Sequence, residues 1–246
     1  MARSRELIIN KSIKSPIVEA YKTLRTNIQF SMPDGGPRTI LITSSGPSEG
    51  KSTTSANLAI SIAQSNKRVL LVDADLRKSV VHRIFELPNL EGLTNILAEN
   101  RDYKELVKPH VLENLDIITA GPKPPNPSEL LGSRRMENFL ELAKQEYDTI
   151  IIDSPPALPV ADSAILSPLV DGVIIVSAYG QATFDGVHRT RSMLERAGAK
   201  ILGVVLNRIP ASQAGSHYYY YYYEDDRPKT GYTKSKRKGG AEAVYD

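Results

Sequence analysis

A chain of 246 residues with no cysteine and a formal net charge of +3 is long enough for one large α/β domain and short of two comfortable ones. Without cysteine it can hold no disulfide scaffold, thiolate zinc site, Cys-ligated iron–sulfur cluster or cysteine nucleophile, which fits a reducing, cytoplasmic setting. No apolar stretch approaches the roughly 18 to 20 residues that cross a bilayer, the amino terminus has no apolar signal core, and no global field argues for nucleic acid. Composition and charge divide the chain at 1–38, 39–210 and 211–246, with slightly basic ends around a near-neutral centre.

In chain order, Ser15-Pro16 opens a helix, with a capping residue followed by proline at the first helical position. Ile17, Tyr21, Leu24 and Ile28 then recur at helical spacing and predict a stripe that packs on a neighbour, until residues 32–37 break the helix. Short aliphatic runs follow at 39–43, 69–73, 115–119, 149–153, 172–177 and 201–207, and read as strands. Runs such as Val69-Leu70-Leu71-Val72 are apolar without alternation, as strands covered on both faces are. Helical segments at 51–64, 136–146 and 183–197 are long enough to cross over between parallel strands. The predicted fold class is therefore α/β, a predominantly parallel sheet flanked by helices, with an N-terminal helix and a tyrosine-rich tail that has little to bury.

Directly after the first strand comes Ser44-Ser45-Gly46-Pro47-Ser48-Glu49-Gly50-Lys51-Ser52-Thr53, opening a helix. That is the context of a phosphate-binding loop. Glycine lets the backbone approach a phosphate, and the loop amides and helix amino terminus face the anion. Lys51 supplies charge for the β- and γ-phosphates, and the Ser52 hydroxyl can ligate Mg²⁺. The strict pattern asks for glycine where Ser45 stands. Two later strands end at Asp73-Ala74-Asp75 and at Asp153, bringing three carboxylates to the ligand-binding edge of the sheet. Asp73 and Asp75 share a face by the period of two, and such concentrated charge calls for a cation, for which Mg²⁺ is the expected partner.

These motifs, 45–52, Leu71-Val72-Asp73-Ala74-Asp75-Leu76-Arg77 and Asp153-Ser154-Pro155-Pro156, together with the tyrosine-rich tail, resemble the bacterial protein tyrosine kinases, a P-loop type family. The resemblance implies an ATP- and Mg²⁺-dependent protein-tyrosine kinase that regulates capsular or extracellular polysaccharide synthesis and export. It implies recruitment to the inner face of the membrane by a transmembrane activator, here a separate polypeptide unless the domain is excised from a longer chain. An opposing phosphotyrosine phosphatase and external protein substrates come with it. Gly46, Pro47, Ser48, Glu49, Gly50, Lys51, Ser52 and Thr53 would cradle the nucleotide. Ser52, Asp75 and Asp153 would hold Mg²⁺, Asp73 would accept the tyrosine proton, with its role exchangeable for that of Asp75, and Asn207-Arg208 would contact adenine.

Tyr218, Tyr219, Tyr220, Tyr221, Tyr222 and Tyr223 form an unbroken run before three acids, with Tyr232 further out. The acidic neighbours oppose a nucleic-acid stacking surface. An aggregation-prone strand and a phosphorylated tail both fit the composition, and several phosphates, each about −1.5 to −2 charges, would drive such a tail out of an acidic site. The family resemblance makes these tyrosines substrates in trans within a homo-oligomeric ring, an octamer being one size open to it, built through a Glu-x-x-Arg-x-x-Arg helix. Here that motif is Glu19, Lys22 and Arg25, with lysine at the first arginine. The rival readings are a partition- or division-site type ATPase switch and a non-catalytic ATP-dependent adaptor. The four histidines show no metal-ligand spacing.

Overall fold

The computed structural model describes residues 7–12, 15–32 and 38–210. The chain divides at residue 209, and the tail tyrosines lie outside the described residues. The first unit is built from α1 (Pro16–Gln29), β1 (Thr39–Ser44), α2 (Lys51–Ala63), β2 (Val69–Asp73), α3 (Val81–Ile84), α4 (Leu93–Glu99), α5 (Tyr103–Leu106) and β3 (Lys108–Leu112). It continues with β4 (Leu115–Ile118), α6 (Pro127–Leu131), α7 (Arg134–Glu146), β5 (Thr149–Asp153), α8 (Asp162–Leu166), β6 (Gly172–Ala178), α9 (Phe184–Arg196) and β7 (Ile201–Asn207). The seven strands form one sheet in the order β3-β4-β2-β5-β1-β6-β7. All pairs are parallel except β3 with β4.

Strand side chains alternate between two cores. Leu41, Leu70, Val72, Ile150, Ile152, Val173 and Ile175 face one layer with Leu93, Leu97, Met136, Phe139, Leu140, Leu166 and Leu194. Ile40, Ile42, Val69, Leu71, Ile151, Ile174 and Val176 face the other, with Val18, Ile28, Leu58, Ile60, Val81 and Ile84. Burial of each such side chain contributes about 1.5–3 kcal/mol before entropy is subtracted. The central strands β1, β2, β5 and β6 are buried along their whole lengths, which explains their unbroken apolar runs.

Two expectations need correction. The stripe on α1 is centred on Val18 and Ile28, both buried, with Tyr21 and Leu24 partly covered, whereas Ile17 is 49% exposed. At 100° per residue Ile17 lies on the same side as Tyr21, Leu24 and Ile28, so angular spacing does not account for its exposure; it sits in the first turn of α1, next to Pro16. The second concerns β3, an antiparallel edge strand that the aliphatic pattern missed, because Lys108-Pro109-His110 carries no apolar run and proline is tolerated only at such an edge.

Gly92, before α4, sits hard against the end of β4. A Cβ there would come within 2.0 Å of the Thr119 carbonyl and 2.6 Å of the Gly121 nitrogen, both backbone atoms. Gly92→Ala is expected to cost about 2 kcal/mol. The nearest atoms to a Cβ at Gly172 would be side-chain carbons of Leu202, at 2.5 to 2.7 Å, which can shift where backbone cannot, so Gly172→Ala should cost less. Urea unfolding of the two variants checks the order, and equal stability would contradict the close backbone approach at Gly92.

Candidate active site

The site lies at the carboxyl ends of β1, β2, β5, β6 and β7. Between β1 and α2 the loop turns through two left-handed residues, Ser48 at φ 62° and Gly50 at φ 93°. Gly50 is required there for space as well, since a Cβ would stand 2.1 Å from Asn207 Nδ2. The loop delivers Lys51 and Ser52 to the first turn of α2, where aligned peptide dipoles favour an anion.

Glu49 departs from the expected cradle. Its carboxylate is buried and folds back, accepting from the Gly46 amide at 2.5 Å and from the Ala178 amide, at the end of β6, at 3.1 Å. The Gly46 amide is thus engaged by the loop's own acid. Asn207 and Arg208, expected at adenine, also touch the loop and each other. Asn207 Nδ2 donates to the Glu49 carbonyl at 3.0 Å, and its Oδ1 accepts from the Arg208 amide at 2.9 Å. Gln181, absent from the sequence reading, donates to the Pro47 carbonyl at 2.9 Å and accepts from Arg208 Nη1 at 3.3 Å.

Parallel pairing of β2 with β5 places Asp73 and Asp153 in register. Asp75 lies beyond the end of β2, so the period-two expectation does not extend to it. Asp75 Oδ2 pairs with Lys51 Nζ at 3.0 Å, both groups nearly buried, while Oδ1 accepts from the Lys78 amide at 2.9 Å. Asp73 is fully buried and organises the following loop: Oδ1 accepts from the Asp75 amide at 3.2 Å, and Oδ2 from the Val80 and Val81 amides at 3.2 and 3.0 Å. The two acids therefore stand in different surroundings. Asp153 Oδ1 lies 3.0 Å from Ser55 Oγ, and its Oδ2 is buried without a hydrogen-bond partner.

Electrostatics follow from this crowding. Burial and then the neighbouring charge of Asp153 push the Asp73 carboxyl well above the usual range. Burial also raises Asp153, opposed by the Lys51 charge and the Ser52 and Ser55 hydroxyls. Lys51 is pulled down by burial, but Asp153, Asp75 and Asp73 outweigh that and its net shift is upward. One ammonium among three buried carboxylates leaves an excess of negative charge, and the orphaned Asp153 Oδ2 beside Ser52 and Ser55 suits an oxygen-seeking cation. Among the described residues no three His, Cys, Asp or Glu side chains converge as a complete metal cage. A cation here would take few ligands from the protein, as magnesium at phosphate sites does.

The sequence reading also missed a clamp behind Asp75. Arg77 grips the buried Asp162 of α8 through two bonds of 2.8 and 2.9 Å, and Ser128 of α6 bonds both at 2.8 and 2.7 Å. The bidentate pair raises the Arg77 pKa and fixes the loop that carries Asp75. A surface cavity of about 390 Å³ lined by Asn100, Tyr103, Arg135 and Glu146 includes none of the site residues. On α1, Lys22 pairs with Glu19 at 2.7 Å, and Arg25 Nη1 donates to the Ser61 carbonyl near the end of α2 at 2.5 Å. No described helix is long and apolar enough to cross a membrane.

Sheet order, loop and carboxylates define a nucleotide-binding protein of the P-loop class. Residues 38–202 match the family model described as an AAA domain. The chain is 42% identical over 203 residues to tyrosine-protein kinase YwqD of Bacillus subtilis (strain 168), covering 82% of this chain and 86% of that protein. It is 38% identical over 212 residues to the putative tyrosine-protein kinase CapB of Staphylococcus aureus, covering 86% and 93%. The solved kinase domain of Escherichia coli tyrosine kinase ETK superposes with a TM-score of 0.79 at 37% identity, over 85% of this chain and 83% of that one. The chain belongs to the family of bacterial tyrosine-protein kinases.

Proposed function

We propose that this chain transfers the γ-phosphoryl group of ATP to tyrosines of its own tail, Tyr218, Tyr219, Tyr220, Tyr221, Tyr222, Tyr223 and Tyr232, in a neighbouring copy. The observation that carries the reading is the buried Lys51–Asp75 pair, 3.0 Å, at the head of α2 beside Asp153. Lys51 exchanges Asp75 for the β/γ-phosphates when nucleotide enters, and the amino terminus of α2 adds its partial charge. Mg²⁺ would be held by Ser52 with Asp75 and Asp153, directly or through water, and supplies neutralisation of phosphate charge. The tyrosine oxygen bonds to the γ-phosphorus as the bond to the β-bridging oxygen breaks. ADP leaves with that electron pair, and the phenolic proton passes to Asp73, which burial makes more basic than an ordinary carboxylate.

Phosphorylation in this reading regulates capsular or extracellular polysaccharide synthesis and export, with a membrane-spanning activator recruiting the chain and a phosphatase resetting it. Intact mass of phosphatase-treated protein after incubation with Mg²⁺-ATP tests the chemistry. A ladder of about 80 Da steps that maps to the tail tyrosines supports it, and inorganic phosphate release without a ladder counts against it.

The proposed ring uses α1. Reversing Lys22 and Arg25 together to glutamate should reduce native mass to that of a monomer. Because Arg25 also holds the Ser61 carbonyl, Lys22→Glu alone should weaken assembly without loosening α1 from α2. An unchanged native mass for both variants would reject this interface.

A further inference from the structure

We propose that Asn207 and Gln181 are positioning residues that aim amides of the phosphate loop, so that Asn207 acts on the nucleotide's phosphates through the loop instead of reading its base. The inference rests on the nucleotide-binding reading above and departs from the adenine contact expected of Asn207.

A trans peptide is planar, with its C=O and the following N–H pointing in opposite directions. Fixing one therefore aims the other. Asn207 holds the Glu49 carbonyl at 3.0 Å, which turns the Gly50 amide of the same peptide away from β7. Gln181 holds the Pro47 carbonyl at 2.9 Å and does the same for the Ser48 amide. The Gly46 amide is already spent on Glu49, so the amides aimed from outside matter more. Ser48 occupies the left-handed region, which a non-glycine residue keeps only if its surroundings hold it.

The brace is itself braced. Glu49 ties the loop to the end of β6 through the Ala178 amide. Arg208 Nη1 bonds Gln181 Oε1 at 3.3 Å, and the Arg208 amide occupies Asn207 Oδ1 at 2.9 Å. The carbonyl of the Asn207 side chain and one of its N–H bonds are therefore committed to backbone, an arrangement suited to holding a loop and poorly suited to reading a base edge.

Competition binding against a fluorescent ATP analogue separates the two roles. ATP, GTP and inorganic tripolyphosphate are titrated at constant Mg²⁺ into wild type, Asn207→Ala and Gln181→Ala. Asn207→Ala should weaken all three ligands by a similar factor, about tenfold for the loss of a bond that orders the loop, and leave the ATP:GTP ratio unchanged. Gln181→Ala, at an exposed position, should weaken all three in the same pattern and to a smaller extent. A changed ATP:GTP ratio with tripolyphosphate affinity intact would overturn the proposal and return Asn207 to the base. If Asn207→Ala does not fold, judged by its melting curve, Gln181→Ala carries the test alone, and unaltered tripolyphosphate binding in that variant rejects the loop-aiming role. A wild-type protein that binds none of the ligands would instead refute the nucleotide reading.

Discussion

Lys51→Met is expected to lower the rate of tail phosphorylation by about 10² to 10³-fold, the range seen when one preorganised charge-stabilising donor is removed. Among the described residues Lys51 is the ammonium paired with the buried carboxylates at the head of α2, and methionine keeps most of its length without its charge. The same substitution changes stability in a pH-dependent way. Lys51 lowers the pKa of both Asp73 and Asp153, so without it both rise further above the unfolded value of 3.8. A carboxyl raised in the folded state is protonated in both states at low pH and costs nothing there. As pH rises past the unfolded value, the unfolded chain ionises first and stability falls until the folded pKa is passed. The melting-temperature deficit of Lys51→Met should therefore be larger at pH 8 than at pH 5. Phosphotyrosine formation at wild-type rate would remove Lys51 from the mechanism, and a pH-independent deficit would refute its role as counter-charge.

Much of this frame is legible in the chain itself, because strands buried on both faces must be apolar throughout. Val69–Asp73, Thr149–Asp153 and Ile201–Asn207 have the ends that the aliphatic runs predict. The short helices α3, α4, α5, α6 and α8 were not legible, since four to seven residues are too few to display a helical period. They exist because the sheet buries Val81, Leu93, Leu106, Leu131 and Leu166, a tertiary effect that local spacing does not encode.

The chemical residues were legible where function demands a type at a spacing, as with Gly50-Lys51-Ser52 and the aspartates that end β2 and β5. Their partners were not. Nothing adjacent in sequence marks Asp162 as the buried anchor of Arg77, 85 residues away, or Asn207 as a brace on Glu49, 158 residues away. Glu49 reads as an ordinary loop acid, and only the fold brings the Ala178 amide to it. Asp73 and Asp75 looked alike because strand periodicity was carried two residues past the end of β2, into a loop where Asp75 turns to Lys51 instead.

Asp73→Asn should lose about 10² to 10⁴-fold in tail phosphorylation, the contribution of a positioned general base, while gaining stability at neutral and alkaline pH. Asparagine has nearly the shape of the protonated acid. Its carbonyl can accept from the Val80 and Val81 amides as Oδ2 does now, so the loop before α3 keeps its anchor. Its amide then faces the weaker contact, the Asp75 N–H at 3.2 Å from Oδ1, which limits the gain. What the substitution removes is a fully buried negative charge held against Asp153. In wild type that charge costs nothing well below the unfolded value of 3.8, and its cost grows as pH rises toward the folded pKa, which burial has pushed well up. The difference in melting temperature between variant and wild type should accordingly be near zero or negative at pH 4 and positive at pH 8. Mg²⁺-ATP titration on both proteins completes the test, because a base acts on the tyrosine proton and its loss should lower turnover with little change in nucleotide affinity. Retained turnover would exclude Asp73 as the base, and a variant less stable than wild type at pH 8 would show that its three backbone hydrogen bonds outweigh the cost of its buried charge.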